Sequence, residues 1–398
     1  MRDLKHLIYF ESLLQEANNE LVKQACSEGK LALAYNCSYI PEPLLDIDGC
    51  FSVRLRAPGC VNPDLATYYM TNRSCPYSKS ILERAFEGGY NFISALIGQE
   101  CCTTMNRMEQ YFEYCKLIPN EKFFVCCIDM PTKKGEWYAG YFRRQIEKKI
   151  IAPMKEVYGV DFSDEKILDA IGRHNELCRI ITEIGDFRKL DNPPITGYEF
   201  HVIQLVSEVC PKYLIIDKLR ETLEELKTRK PDENPPFRTR VMLAGSEIDD
   251  PEFTKLVEMC GALVVADRYC FGSLPGREQI VVNEGQDPLD ALAEHYMKIN
   301  ECPRTMGTES IISRKNYLYD VAKDYNAEGI ILQNMKFCEY WGYERAIAAK
   351  WLAEGLNVPS AIPTCQIERD YANAATGQLR TRFQAFVESL EIKRLQAE

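Results

Sequence analysis

Short apolar runs that break off at a loop and give way to helical spacing recur along the chain. LALAYNCSYIPEPLL reads as a buried strand, a turn at Asn36 to Ser38, and a helix start marked by Pro41 and Glu42. YNFISALIGQECCTTMNRMEQYFEYC repeats the grammar: Phe92 to Ile97 form the apolar run, a cysteine pair follows, and an amphipathic helix comes next. EKFFVCCIDMP supplies a further strand. Strands alternating with helices predict a parallel sheet covered on both faces.

From about Arg144 to Lys230 the pattern turns to long charged helical segments, among them RRQIEKKIIAPMKEVYG and DKLRETLEELKTRK. KPDENPPF then has the polar, proline-rich composition of a domain boundary. Beyond it TRVMLAGSEIDDPEF and GALVVADRYCFG restart the strand-loop-helix series, and AEGIILQNMKFCEYWGYERAIAAKWLAEGLNVPSAIPT reads as a βαβ unit. The expected organisation is an N-terminal α/β domain over 1–145, a helical connector over 146–235 and a C-terminal α/β domain over 236–398.

Composition narrows the function. The 398 residues are 46% hydrophobic and 27% charged, enough to bury a large interior. A net charge of −11 opposes binding to nucleic acid or to an anionic membrane, both of which need a basic footprint. No run of eighteen apolar residues occurs and the N-terminus lacks a signal-peptide core, so a cytoplasmic protein without a membrane span is expected. In such a compartment thiols stay reduced, and the 17 cysteines point to burial or to metal ligation rather than to disulfides.

Three cysteines stand where strands are read to end: Cys75 in NRSCPYSKS, Cys102 in GQECCTTMNRM and Cys338 in NMKFCEYWGYE. Ligands of open parallel sheets bind beyond the carboxyl ends of the strands, which places these thiols in a cleft between two domains. Zinc is disfavoured, because the chain has no C-x2-C pair and only four histidines. Ferredoxin spacing is missing too, so any iron–sulfur cluster must draw on cysteines far apart in sequence.

The phrases AYNCSYIPEPLL, NRSCPYSKS, QECCTTMNRM, VVADRYCFG, NMKFCEYWGYE and IERDYANAATGQLRTRFQAFVESL, in this order, resemble the 2-hydroxyacyl-CoA dehydratase and benzoyl-CoA reductase superfamily. The resemblance runs from about Leu31 to Leu390. It implies two flavodoxin-like, Rossmann-like parallel-sheet domains and one [4Fe-4S] cluster on three cysteines, which fall on Cys75, Cys102 and Cys338. Thr103 stands where family members commonly carry Asp, and Cys101 is a rival to Cys102.

The same resemblance implies a homologous second subunit, an acyl-CoA thioester as substrate and a one-electron, ketyl-radical elimination of water. A benzoyl-CoA reductase relative would instead pass its electrons to an aromatic thioester. The sequence holds neither a Walker A motif nor a G-x-G-x-x-G fingerprint after a strand, so ATP hydrolysis falls to a separate iron–sulfur activator. Ser38 is a candidate to hydrogen-bond a substrate oxygen, or else a helix cap. Glu42 is a candidate proton-transfer group beside it, or else a carboxylate placed by the helix dipole.

Cys270 in RYCFG and Cys302 in NECPR also match cysteine positions of the superfamily. They open a second possibility, a double-cubane [8Fe-9S] centre in an ATP-driven reductase of small molecules; burial as structural thiols is the favoured alternative for both. Arg380 and Arg382 would grip CoA phosphates or pair inside the fold. A rival role for the whole chain is a non-catalytic subunit that relays electrons to its mate.

Overall fold

Eight short strands form two four-stranded sheets, every pairing parallel. A computed structural model describes residues 3–100, 102–133, 135–273, 277–299, 301–356, 358–372 and 376–397. The first sheet contains β1 (Leu31–Tyr35), β2 (Cys50–Arg54), β3 (Ala95–Gln99) and β4 (Phe124–Ile128), in the order β2-β1-β3-β4. The second contains β5 (Thr239–Gly245), β6 (Ala262–Tyr269), β7 (Gly329–Met335) and β8 (Thr364–Arg369), in the order β6-β5-β7-β8. Each half is therefore a flavodoxin-like unit, and the two share one topology. Strand order reverses beside β1 in one half and beside β5 in the other, the positions at which α/β sheets bind ligands.

β1, β3 and β7 are buried, largely apolar runs because helices cover both faces. ALIGQ of β3 and GIILQNM of β7 are buried at every position. Register is tight, with Ala34 opposite Val53 on one side and Leu96 on the other.

Two expectations need correction. The chain after Pro41 makes only a 3-10 turn, Glu42–Leu44, and then enters β2, which the sequence pattern does not announce. CFSVR carries Ser52 and Arg54, which break an apolar run, yet both are buried because partners reach them: Asp46 accepts from Ser52 Oγ at 2.9 Å, and Glu208 accepts from Arg54 at 3.0 Å. Likewise the apolar stretch from Phe92 becomes strand only at Ala95.

Between the two sheets in the chain come the helices Asp164–Asp186, Gly197–Val209 and Lys212–Thr228. Gly197–Val209 is buried at every position except Tyr198, the property of a helix enclosed on all sides. It packs on β2 and β6 and on the N-terminal helix Leu7–Leu13. One apolar cluster joins Leu82 and Leu96 of the first half, Ile203 of this helix, and Leu243 and Ile331 of the second half. The halves are thus cemented together, and their strand ends face a common cleft. No described helix is long and apolar enough to cross a membrane.

Candidate metal centre

Six cysteines line one cavity in that cleft: Cys37, Cys75, Cys102, Cys270, Cys302 and Cys338. Each half contributes three, and the fold explains why. Cys37 follows β1. Cys75 and Cys102 are the N-cap residues of the helices Pro76–Phe86 and Thr103–Tyr114, which follow β2 and β3. Cys270 follows β6, and Cys302 lies past the helix Pro288–Lys298. Cys338 is the N-cap of Glu339–Glu354 after β7. Three of the six thus sit at helix N-termini, where the dipole favours a thiolate. Phe337 takes a left-handed φ of 61° immediately before Cys338, a backbone cost of about 1–3 kcal/mol spent at the cavity's edge.

The thiols form two overlapping electrostatic neighbourhoods, joined through Cys338, which also interacts with Cys270 and Cys302. Beyond burial, the thiol that most raises Cys75 is Cys102, and the one that most raises Cys338 is Cys75. For Cys37 and Cys270 that neighbour is Cys302. Burial pushes Cys37 and Cys75 up to about 12, with Cys270 and Cys338 well above the usual thiol range. A metal that binds here must therefore displace protons.

Among the described residues, no three His, Cys, Asp or Glu side chains converge closely enough to hold a single ion. The six thiols stand instead around the walls of a space of about 110 Å³. That arrangement suits a polynuclear centre, whose ligated irons lie at separate corners: six soft thiols face the space, Glu247 is the one carboxylate among the described lining residues, and no imidazole is among them. Cys101, the rival to Cys102, lies outside the described residues.

The surroundings are cationic and able to donate hydrogen bonds. Arg54 and Arg268, both buried, line the cavity. Trp341 Nε1 donates to Cys270 Sγ at 3.3 Å, and Cys37 Sγ donates to Gln99 Oε1 at 2.6 Å. Glu247, on the loop after β5, has its carboxylate 3.8 Å from Arg54, and its Oε2 makes no hydrogen bond. Burial pushes its carboxyl up to about 7 although Arg54 opposes this, so it can hold or release a proton near neutrality. Sequence reasoning missed both Cys37 and Glu247.

Of the two candidate catalytic residues only Ser38 reaches the thiol cavity. Ser38 lines the thiol cavity and donates to the Cys270 carbonyl at 2.7 Å, so it caps no helix. Glu42 lies behind it, away from the thiols. Its carboxylate accepts from Tyr35 Oη at 2.5 Å and from Lys212 Nζ at 2.7 Å, and stands 3.6 Å from His174 Nδ1. Burial raises this carboxyl, but Lys212 and His174 outweigh it and hold it below its ordinary value. Cys270 and Cys302, favoured as structural thiols, instead face the same cavity as the other four. Arg382 donates to the Gln366 carbonyl at 2.8 Å and takes no part in the cavity.

Arg54 ties this region together. It pairs with Glu208 at 3.0 Å, stacks on Phe271 at 3.9 Å and donates to the Cys270 carbonyl. Burial holds Glu208 up to about 8 even with Arg54 beside it. A carboxyl raised above its unfolded value stabilises the fold at acid pH, and that contribution is lost as pH rises through about 8. Arg54→Met removes the cation that holds Glu208 down, so Glu208 is expected to titrate higher still, and the substitution is expected to cost more at pH 9.5, where wild-type Glu208 is ionised, than at pH 6, where Glu208 carries a proton in both proteins. Urea unfolding at the two pH values measures this; an equal cost at both would contradict it.

Fold and site together define a two-domain α/β chain with a thiol-lined cleft at its strand ends. The family model described as 2-hydroxyglutaryl-CoA dehydratase, D-component, matches residues 37–390, and the chain belongs to that family. It is an enzyme subunit of the 2-hydroxyacyl-CoA dehydratase type. Similar proteins include the (R)-phenyllactyl-CoA dehydratase beta subunit of Clostridium sporogenes, 24% identical over 96% of this chain and 97% of its own. The (R)-2-hydroxyglutaryl-CoA dehydratase subunit beta of Acidaminococcus fermentans is 23% identical over 92% and 93%. The lactoyl-CoA dehydratase subunit beta of Anaerotignum propionicum is 21% identical over 91% and 92%.

Proposed function

We propose that this chain carries an iron–sulfur centre held by thiols of both halves, and that the centre is of the double-cubane [8Fe-9S] kind, serving ATP-driven reduction of a small molecule. The observation that carries this reading is the count and placement of thiols: three from each half, on one cavity, where a single cube with one open iron would use three. When bound, such a centre supplies single electrons at low potential.

The chain's own residues would then set the conditions. Cys37, Cys75, Cys102, Cys270, Cys302 and Cys338 ligate. Arg54 and Arg268 offset the negative charge of the thiolates. Glu247 Oε2 holds a proton beside the thiols, and Ser38 Oγ fixes the Cys270 backbone. Electrons come from a separate ATP-hydrolysing iron–sulfur activator. Trp341→Phe removes the N–H directed at Cys270 Sγ and is expected to lower the midpoint potential of the centre, because hydrogen bonds to ligating sulfur favour the reduced state. A redox titration followed by electron paramagnetic resonance checks this, and an unchanged or raised potential would contradict it.

The second reading keeps the dehydratase chemistry: a [4Fe-4S] centre on Cys75, Cys102 and Cys338, and a homologous partner subunit that contributes to binding a 2-hydroxyacyl-CoA from which water is eliminated. The similar beta subunits, matched over nearly their whole lengths, favour it. Iron and acid-labile sulfide per chain after anaerobic purification separate the two, with about eight irons for the first and about four for the second. A chain that binds no iron even after reconstitution overturns both.

A further inference from the structure

Behind the thiol cavity lies a second, smaller one of about 30 Å³, room for about two waters at the ~15 Å³ each requires. Ser38 and Arg54 line both cavities and form the wall between them. The smaller cavity is otherwise polar and acid-base in character, with Glu42, Glu208, His174 and His295 on its walls. At its outer end Glu278 is exposed and His295 is half-buried, so this end reaches the surface.

Three buried polar atoms around it make no hydrogen bond to protein: Glu208 Oε2, Arg54 Nε and His174 Nδ1. Buried polar groups are almost always satisfied, and three orphans beside a space of this size call for ordered water. Orphaned atoms occur elsewhere among the described residues, Arg314 Nε for one; what sets these three apart is the space beside them.

We infer that this cavity is a hydrated proton-entry route, leading from the surface at Glu278 and His295 through Glu208 to the Ser38 wall of the thiol cavity. The inference deepens the proposed function and its purpose rests on that reading, since a buried reductive centre must take up a proton from solvent for each electron that leaves charge behind. Glu208 passes its proton through water to Ser38 Oγ, whose hydroxyl turns from the Cys270 carbonyl to donate its own proton into the thiol cavity, and Glu208 is reprotonated from the surface side. The charged groups that face it are Arg54, Glu42 and Glu247. Its carboxyl, raised to about 8 by burial, can change protonation near neutrality, and Arg54 stays charged throughout. Glu42, held ionised by Lys212, only accepts hydrogen bonds from the water and carries no proton of its own.

The test uses the full chain without iron, so that it stands apart from the cluster reading. The protonated-carboxyl stretch of Glu208 is followed by infrared spectroscopy at pH 6.5 after a switch from H2O to D2O. Expected is a band that shifts within seconds, is missing in Glu208→Gln, and exchanges at least ten-fold more slowly in His295→Leu, which plugs the mouth with an apolar group. A band that exchanges only as slowly as the most protected backbone amides overturns the route, as does the absence of any band lost in Glu208→Gln. Should Glu208→Gln not fold by circular dichroism, the comparison of wild type with His295→Leu decides alone: equal exchange overturns the route. In the iron-loaded chain, proton uptake on reduction by titanium(III) citrate, read with a pH dye, is expected to slow at least ten-fold in His295→Leu at unchanged iron content. An unchanged rate there overturns the route. A wild-type chain that binds no iron refutes the cluster reading, and the infrared result still decides the route.

Discussion

Cys302→Ala is expected to reduce the iron bound per chain from about eight to about four or fewer, while leaving the chain folded. Cys302 lines the cavity with the other five thiols, and the larger centre calls on all six, so its loss leaves one half of that centre a ligand short. Cys75, Cys102 and Cys338 are left in place. The folding cost is small, about 1 kcal/mol, because Cys302 is only half-buried and lies in a loop rather than in a strand. A single cube on Cys75, Cys102 and Cys338 makes the opposite forecast, with iron content the same in variant and wild type. Iron and sulfide analysis alongside circular dichroism distinguishes the outcomes, and Cys37→Ala should behave as Cys302→Ala does.

The second large effect concerns the backbone that makes the cleft. Gly245 ends β5 with φ at 147°, and a Cβ placed there would lie 1.9 Å from the carbonyl oxygen of Gln333 in β7. Backbone cannot swing aside as a side chain can, so Gly245→Ala must push β5 from β7 at the point where strand order reverses. The combined cost of conformation and overlap is expected to exceed about 4 kcal/mol, a large part of a typical domain's 5–15 kcal/mol. The variant should be recovered mainly in inclusion bodies, or should melt far below wild type. A melting temperature within a few degrees of wild type would show that β5 and β7 do not pack as described.

The sequence made most of the fold legible because buried parallel strands are apolar runs with sharp ends. β1, β4, β5 and β7 all follow that rule, and the helix starts after Cys75, Cys102 and Cys338 carry the loop-to-helix change of period. β2 does not follow it. Its Ser52 and Arg54 are polar residues buried only because Asp46 and Glu208, the latter far away in sequence, meet them, and no local pattern reveals such a partner. The same limit explains Glu42, whose neighbours Lys212 and His174 come from the connector and draw it away from the thiols.

For the cleft, the three cysteines beside helix starts were readable, whereas Cys37 was passed over although it follows β1 as directly as its neighbour Ser38. A strand-end cysteine at the reversal of strand order was signal enough. Glu247 follows β5 in the same way, in AGSEIDD, but a glutamate in a loop is ordinarily solvated, and only the opposing half buries it. Cys270 and Cys302 could be placed on the cavity only once both halves were seen to share one core.

The most direct test of the central claim is iron-edge anomalous diffraction from crystals of the anaerobically purified chain. The account predicts two adjoining groups of iron in the cleft, one against Cys75, Cys102 and Cys338 and the other against Cys37, Cys270 and Cys302. A single group against the first three cysteines, with the other thiols bare, would contradict the larger centre; no iron in the cleft would contradict the metal centre altogether.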